Sequence, residues 1–207
     1  MNKGLFYAAG AYILWGMLPI FWKLLAHVDS FEIVAHRFIW ALAVGIVLLA
    51  ARRHWSWIGD IWRDRRVLLT FIACGALLTI NWFVYIWAVN DNHIVETSLG
   101  YFINPLVNVL LGVLVLKERL HVGQGVAVTI ALLGVLYLTV EYGSFPWIAL
   151  TLAGAFGIYG LLRKTARLNA LEGFSLETAL LALPAAAFLV YREQTVQTAM
   201  LHTDPLT

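Results

Sequence analysis

Apolar residues occur along this chain in seven long runs that are separated by short polar connections. The runs cover residues 5–26, 32–51, 67–90, 97–116, 122–140, 145–162 and 174–191. Each is close to the roughly 20 residues that a helix needs to cross the hydrocarbon of a bilayer. Because the hydrocarbon offers no water to the backbone, helices are the structure that satisfies the N–H and C=O groups of such runs. The pattern therefore predicts an all-α integral membrane protein with seven transmembrane helices.

The composition supports this class of protein. Hydrophobic residues make up 61% and charged residues 13% of the 207 residues, and the mean hydropathy is +0.80. The net charge of +2 is small and scattered, which argues against a nucleic-acid partner. Only Lys3 precedes the first apolar run, and no cleavage site follows it, so we expect a retained first helix. The single cysteine, Cys74, excludes an intrachain disulfide and indicates ordinary packing.

The basic residues predict the orientation in the membrane. If the chain crosses at each apolar run, eleven of the 14 lysines and arginines lie on one side and three on the other. The larger group is Lys3, Arg52, Arg53, Arg63, Arg65, Arg66, Lys117, Arg119, Arg163, Lys164 and Arg167, and the smaller is Lys23, Arg37 and Arg192. The positive-inside rule then places the N-terminus in the cytoplasm.

The longest connection, residues 54–66, predicts a short helix in the headgroup layer. At helical spacing, apolar Trp55, Ile58 and Trp62 share a face that excludes Asp60, Arg63 and Asp64. We expect this segment to act as an anchor.

An internal repeat suggests how the helices are arranged. Residues 9–16, AGAYILWG, return at 153–160 as AGAFGIYG, and Glu32 and Glu177 enter their helices at nearly the same offset. Five helices would then form one unit, and the second copy would cross the membrane in the opposite sense. Inverted repeats are the architecture of secondary transporters. A complete second unit would end at roughly residue 285 to 290, so we expect a C-terminally truncated sequence.

Polar residues on four helices are candidates for a translocation path. The fourth predicted helix places polar and small residues at every fourth position, on one stripe. Counting 1.5 Å per residue brings Trp15, Trp40, Asn81 and Asn104 to roughly 12 to 15 Å below the outer boundary, near the bilayer midplane. The substrate-binding candidates are Trp15, Trp40, Asn81, Tyr85, Asn104 and Asn108.

Charged residues crowd the outer third of the same helices. Lys23 or Arg37 could pair with Glu96 or Glu32 across a vestibule, since charges within membranes usually mark a pathway or an ion pair. The outer-gate candidates are Lys23, Glu32, His36, Arg37 and Glu96. His36 and His93 are also candidates for handling coupling protons. Pro19, Pro105 and Pro184 are hinge candidates because proline frees carbonyls within a helix.

Structural roles explain the same residues equally well at this level. Small and amide residues at every fourth position also let membrane helices approach and hydrogen-bond one another. Lys23 and Arg37 could extend to the headgroups, and Glu96 could serve only the positive end of its helix. The histidines could be solvated helix-end residues, and the prolines ordinary packing bends.

Several of these residues also carry a resemblance to a known family. The run 96–106, ETSLGYFINPL, is long and distinctive, and further matching segments span residues 1 to about 190. These segments start at Trp15, Glu32, Asn81, Glu118 and Tyr159. The chain resembles RarD-type permeases of the EamA branch of the drug/metabolite transporter superfamily, which are often labelled chloramphenicol-sensitivity proteins.

The resemblance implies a bacterial inner-membrane transporter of ten helices in two inverted five-helix EamA repeats. Residues 1–140 would form the first repeat, residues 145–191 an incomplete second repeat, and residues 192–207 a polar tail. The chain departs from the family in that the C-terminal third is missing. This bears on function, because the central cavity of the superfamily is formed by residues of both repeats.

The predicted function is alternating-access transport of a small amphipathic or aromatic solute. The chain lacks a G-x-x-x-x-G-K-[ST] loop, a zinc H-E-x-x-H and a G-x-S-x-G turn, so we expect no ATP hydrolysis, no enzyme activity, no metal and no cofactor. The partners expected are the solute, membrane lipid and coupling protons. A non-transporting scaffold or regulator, or an inactive fragment of a permease, is the alternative.

Overall fold

The computed structural model describes residues 3–53, 55–61 and 64–195, and all of its regular structure in this part of the chain is helical. The eight helices are α1 Lys3–Leu24, α2 Ser30–Arg52, α3 Ile58–Ile61, α4 Arg65–Asn90, α5 Ile94–Leu114, α6 Val122–Tyr142, α7 Trp147–Thr165 and α8 Ala170–Thr195. The prediction of an all-α protein is confirmed, and each of the seven apolar runs forms a long helix.

Six of the seven long helices are long and apolar enough to cross a membrane. The helix outside that set is α7, which ends in Arg163 and Lys164 and buries one side of its length. Its buried residues are Ile148, Ala149, Leu152, Ala153, Ala155 and Gly157. In the described residues α7 is packed between α4 and α5, so it belongs to the interior of the helix group.

Local sequence signals begin and end the helices. The Asp29 and Asp64 side chains accept hydrogen bonds from the backbone N–H groups of Phe31 and Arg66, at 2.9 and 3.0 Å. Such N-caps satisfy amides that have no partner within a helix. Asn169 and Glu172 form a reciprocal capping box at the start of α8.

Side-chain contacts define how neighbouring helices run. Arg192 near the end of α8 meets Glu32 near the start of α2, and Ser175 near the start of α8 lies beside Gly45 in the second half of α2. The helices α2 and α8 are therefore antiparallel. The same reasoning makes α4 and α7 antiparallel, since Trp87 meets Trp147 and Phe71 meets Arg163.

Two further contacts complete this pattern. The helices α5 and α7 are parallel. Gly100 lies beside Ala149 in the first half of both helices, and Val107 lies beside Gly157 further along both. Lys23 at the end of α1 binds Asn90 at the end of α4. The end of α1 therefore lies at the same side as the start of α7, so the two helices that carry the repeated motif run in opposite directions. An inverted repeat requires this relation, while the ten-helix arrangement stays a prediction.

These directions give the helix group two faces. We call the side with the starts of α2, α5 and α7 the Asp29 face, and the side with the starts of α4, α6 and α8 the Asp64 face. The core lies between α2, α4, α7 and α8, where Ile33, Val34, Phe38, Phe71, Cys74, Ile86 and Val89 are buried. The helices α1 and α6 are peripheral, and no residue in the apolar window of either is buried.

The connection between α2 and α4 contains the four-residue helix α3. Trp55 and Ile58 are exposed at 42% and 38%, as a headgroup anchor would be. Trp62 and Arg63 lie outside the described residues. At the other end of the chain, α8 continues to Thr195, past the predicted end of the apolar run.

Candidate functional site

A buried carboxylate on the Asp29 face joins α2 to α8. Glu32 is 0% exposed, and its Oε2 lies 3.8 Å from Nε of Arg192. The same guanidinium contacts the N-cap residue of α2, with 3.1 Å between Nη1 of Arg192 and Oδ1 of Asp29. Sequence reasoning placed Glu32 in an outer gate with Lys23 or Arg37 as its partner. The partner that the structure shows is Arg192, from the far end of the chain.

Lys23 also has a partner that differs from the expected carboxylates. Its Nζ donates to the backbone carbonyl of Asn90 at 3.1 Å and to Oδ1 of Asn92 at 2.8 Å. A cation at this place stabilises the negative end of α4. Lys23 thus ties the end of α1 to the end of α4.

Glu96 lies at the start of α5 within an aromatic and histidine cluster. The carboxylate is 6% exposed, and its Oε1 lies 3.9 Å from Nε2 of His93. His93 stacks on Trp87, with 5.6 Å between the ring centroids, and Trp87 meets Trp147 at 5.7 Å. This cluster joins the starts of α5 and α7 to the end of α4.

Arg37 is held by aromatic rings. Its guanidinium carbon lies 3.5 Å from the ring centroid of Trp82 and 5.6 Å from that of Trp22. Tyr85 and Tyr101 lie near this guanidinium, and their rings meet edge to face with centroids 6.0 Å apart. The structure thus brings the substrate candidate Tyr85 to the gate candidate Arg37.

The three asparagine candidates have different environments. Asn81 Nδ2 donates to the carbonyl of Leu152 at 3.0 Å, which bonds α4 to α7. Asn104 has a buried Oδ1 without a hydrogen-bond partner, and His36 nearer the Asp29 face has a buried Nε2 in the same condition. Asn108 is exposed and lines two cavities. Asn81 therefore has the helix-bonding role that sequence reasoning kept as an alternative.

The tryptophan candidates stand apart from these groups. Trp15 and Trp40 are 55% and 69% exposed. Trp15 contacts Tyr12 of its own helix, with 6.2 Å between ring centroids. In the described residues, the structure does not bring Trp15 and Trp40 together with Asn81 and Asn104.

The hinge candidates lie within unbroken helices. Pro19, Pro105 and Pro184 are inside α1, α5 and α8, each of which continues on both sides of its proline. Their hinge role stays a prediction.

The Asp64 face contains a buried ion pair that sequence reasoning did not assign. Glu177 in α8 is 1% exposed, and its Oε1 lies 3.7 Å from Nε of Arg163. The Tyr159 hydroxyl donates to Oε2 of Glu177 at 3.2 Å, and Arg163 lies over the Phe71 ring. The sequence shows the offset between Glu32 and Glu177 and the segment with Tyr159 and Arg163. These signals do not predict that Glu177 contacts Tyr159 and Arg163.

Exposed groups surround this pair on the same face. Lys164 Nζ lies 2.7 Å from Oε1 of Glu118, and Arg167 Nη1 lies 3.1 Å from Oδ2 of Asp64. Asn108 and Glu118 each line two cavities, of about 550 and 260 Å³; the first extends to Gln124 and the second to Lys164. Within the described part of the chain, no three His, Cys, Asp or Glu residues are grouped as a metal ion would require.

Comparisons with known proteins agree with this architecture. The EamA-like transporter family matches residues 2–140. The chain is 48% identical over 191 residues to protein RarD of Streptomyces exfoliatus, covering 92% of this chain and 60% of that protein. It is 45% identical over 196 residues to the uncharacterized transporter YojE of Bacillus subtilis, covering 92% and 65%.

A third relative is covered more fully. Protein RarD of Escherichia coli is 38% identical over 205 residues, which is 99% of this chain and 69% of that protein. The chain spans less than two thirds of the length of the first two relatives. No solved structure matches this chain.

The apolar helices and these relatives define a multi-pass membrane protein of the transporter class. The chain belongs to the EamA-like transporter family, and the predicted resemblance to RarD-type permeases is confirmed.

Proposed function

We propose that this chain forms the greater part of a secondary transporter in the bacterial inner membrane, which moves a small amphipathic solute by alternating access. Membership of a transporter family is the observation that carries this proposal. In it, residues 1–140 are the first five-helix repeat, and residues 145–191 belong to a second, inverted repeat. The N-terminus and the Asp64 face are cytoplasmic.

The opposed directions of α1 and α7, and of α2 and α8, support this arrangement. Two repeats that cross in opposite senses can rock about a site between them and open it to each side in turn. The solute must contact the two states differently, since equal contacts would shift no equilibrium.

The buried ion pairs at opposite faces suit such a cycle. Glu32 and Arg192 join α8 to α2 on one face, and Glu177 and Arg163 join α8 to α7 on the other. Breaking one pair while the other stays closed would let α8 swing at one end. Lys23, His36 and Glu96 complete the outer gate in this proposal, and Asn104 contributes its unpartnered amide to the solute site.

Measurements of solute uptake into vesicles that contain the protein test the proposal. Asn104→Leu should lower solute uptake by removing a polar group from the site, and Lys23→Ala should lower it by loosening the end of α1. Arg52→Ala serves as the control, because Arg52 is an exposed cation on the other face and lines neither cavity. Uptake that is unchanged in both variants would remove these residues from the path.

The Asn81 bond to Leu152 favours a second candidate, a membrane scaffold or regulator in which polar side chains only join helices. Solute-dependent flux separates the two, because a scaffold would produce none in any variant.

A further inference from the structure

Arg37 is a cation inside a membrane-spanning helix whose contacts are aromatic. It lies seven residues after Ser30, the start of α2, which is about 10 Å along the helix axis. The ring centroids of Trp82 and Trp22 lie 3.5 and 5.6 Å from its guanidinium carbon. In the described residues, none of the ion pairs includes Arg37.

In the described part of the chain, the other two arginines that are not exposed are paired with acids: Arg163 with Glu177, and Arg192 with Asp29 and Glu32. A charged side chain within the membrane is costly, so such residues pair with one another or mark a ligand pathway. Stacking on tryptophan offsets part of this cost but supplies no negative charge. Among the described residues, Arg37 therefore belongs to no ion pair with a carboxylate. An anionic ligand would supply the missing negative charge.

The surroundings of Arg37 can receive an anion. The guanidinium is half-buried, so solutes can reach it. A guanidinium stacked on a ring keeps its N–H groups in its own plane, pointing outward from its edge, where two of them match both oxygens of a carboxylate. The Tyr85 and Tyr101 phenols lie near Arg37 and hydrogen-bond each other, so one O–H of the pair remains to donate to a ligand.

Four helices converge on this point. Arg37 comes from α2, Trp22 from α1, Trp82 and Tyr85 from α4, and Tyr101 from α5. An anion bound here would contact most of the first repeat, so its binding can influence how these helices pack.

We propose that Arg37, with the Tyr85 and Tyr101 pair, binds the carboxylate of an amphipathic solute. The inference rests on the proposed transport function and assigns it a substrate class, organic monoanions. Arg37 is thus a ligand-binding residue in addition to an outer-gate candidate.

Binding to the purified protein in nonionic detergent tests the charge preference. Three probes share one phenylpropyl skeleton: 3-phenylpropanoate, its neutral amide and the cation 3-phenylpropylammonium. Equilibrium dialysis gives Kd for each, and the readout is the ratio of the amide Kd to the carboxylate Kd. This ratio does not depend on how much of a variant is correctly folded. A charge-assisted, bidentate contact should make it about tenfold to a hundredfold.

Three variants and one control assign the preference to Arg37. Arg37→Met should bring the ratio close to one. Arg37→Lys should give an intermediate ratio, because lysine keeps the charge but lacks the two parallel N–H donors of a guanidinium. The double variant Tyr85→Phe/Tyr101→Phe should lower the ratio about two- to fivefold by removing the phenol donor. Arg52→Met makes the same change in the same helix at an exposed position, and should leave the ratio as in the original protein.

The outcomes separate this inference from the proposed function. Equal or tighter binding of the amide or the cation overturns the inference, as does a carboxylate preference that survives Arg37→Met. Carboxylate binding without flux in vesicles leaves the anion site standing and overturns transport. Addition of phosphatidylglycerol identifies the source of the anion: a retained ratio supports a solute, whereas complete displacement of the probe shows that a lipid headgroup occupies Arg37 and overturns the solute assignment.

Discussion

The helices α2 and α8 each have a buried glutamate near their start, which is costly for a charged side chain. Glu32 and Glu177 each have an arginine Nε within 4 Å, at 3.8 and 3.7 Å. A buried pair of charges is weak evidence for stability, yet removal of one partner is costly because the other charge is left uncompensated. The two pairs are therefore sensitive points of the fold.

Glu177→Gln tests this at the Asp64 face. The change leaves Arg163 as an uncompensated, largely buried cation, so the protein should lose up to about 3 kcal/mol of stability. Glu118→Gln removes one partner of the exposed pair with Lys164 and should cost less than about 1 kcal/mol. Thermal inactivation of the detergent-solubilised protein, followed by size-exclusion chromatography, compares the two.

The double variant Arg163→Met/Glu177→Gln provides a further check. It removes both charges and should recover most of the lost stability. Equal losses for Glu177→Gln and Glu118→Gln, or no recovery in the double variant, would contradict the uncompensated-charge explanation.

At the level of elements, close contact between α5 and α7 depends on glycine. A Cβ at Gly157 would lie 2.6 Å from Cγ1 of Val107, and one at Gly100 would lie 3.2 Å from the carbonyl oxygen of Ala149. Small residues allow membrane helices to approach in this way. The sequence showed glycines in both helices, but which of them face the partner was decided by packing.

Gly157→Val should separate α5 from α7 and cost about 1–3 kcal/mol, because the added atoms have no space. Gly154→Val is a matched control one turn earlier in α7, where an added Cβ meets nothing within 4 Å. Unfolding midpoints in mixed micelles measure the difference. Equal midpoints for the two variants would show that the contact at Gly157 is looser than described.

The antiparallel packing of α2 and α8 predicts a specific cross-link. A Cβ at Gly45 would lie 3.1 Å from Oγ of Ser175, so Gly45→Cys and Ser175→Cys should form a disulfide in a Cys74→Ala background. Gly45→Cys with Ala185→Cys is the control, because Ala185 belongs to the same core cluster as Ala35, which lies about 15 Å along α2 from Gly45. Mobility on non-reducing gels reports the bond, and a cross-link only in the control pair would reverse the helix direction.

At the level of the whole molecule, the proposed orientation depends on the asymmetry of basic residues. A cysteine in place of Phe145, an exposed residue at the Asp29 face, should react in intact cells with a membrane-impermeant maleimide. A cysteine in place of Trp55, at the Asp64 face, should react only after permeabilisation. Both are made in the Cys74→Ala background, and the opposite pattern would place the N-terminus outside.

The predicted site shows where sequence reasoning is effective and where it ends. Depth along a helix follows from counting residues, and Asn81 and Asn104 lie within helices at comparable depth. Depth does not give the direction in which a side chain points from its helix. Trp15 and Trp40 therefore share the predicted depth and still lie exposed, apart from the amides.

The amino-acid sequence by itself determined the class, the helices and the family of this protein, because the length of apolar runs and the distinctive motifs are local properties of the chain. Tertiary structure decided which charges meet. Glu32 pairs with Arg192 and Arg37 stacks on Trp82, and these contacts depend on the rotation and direction of helices far apart in sequence. Many arrangements bury the same apolar faces, so polar partners are chosen only when the helices pack.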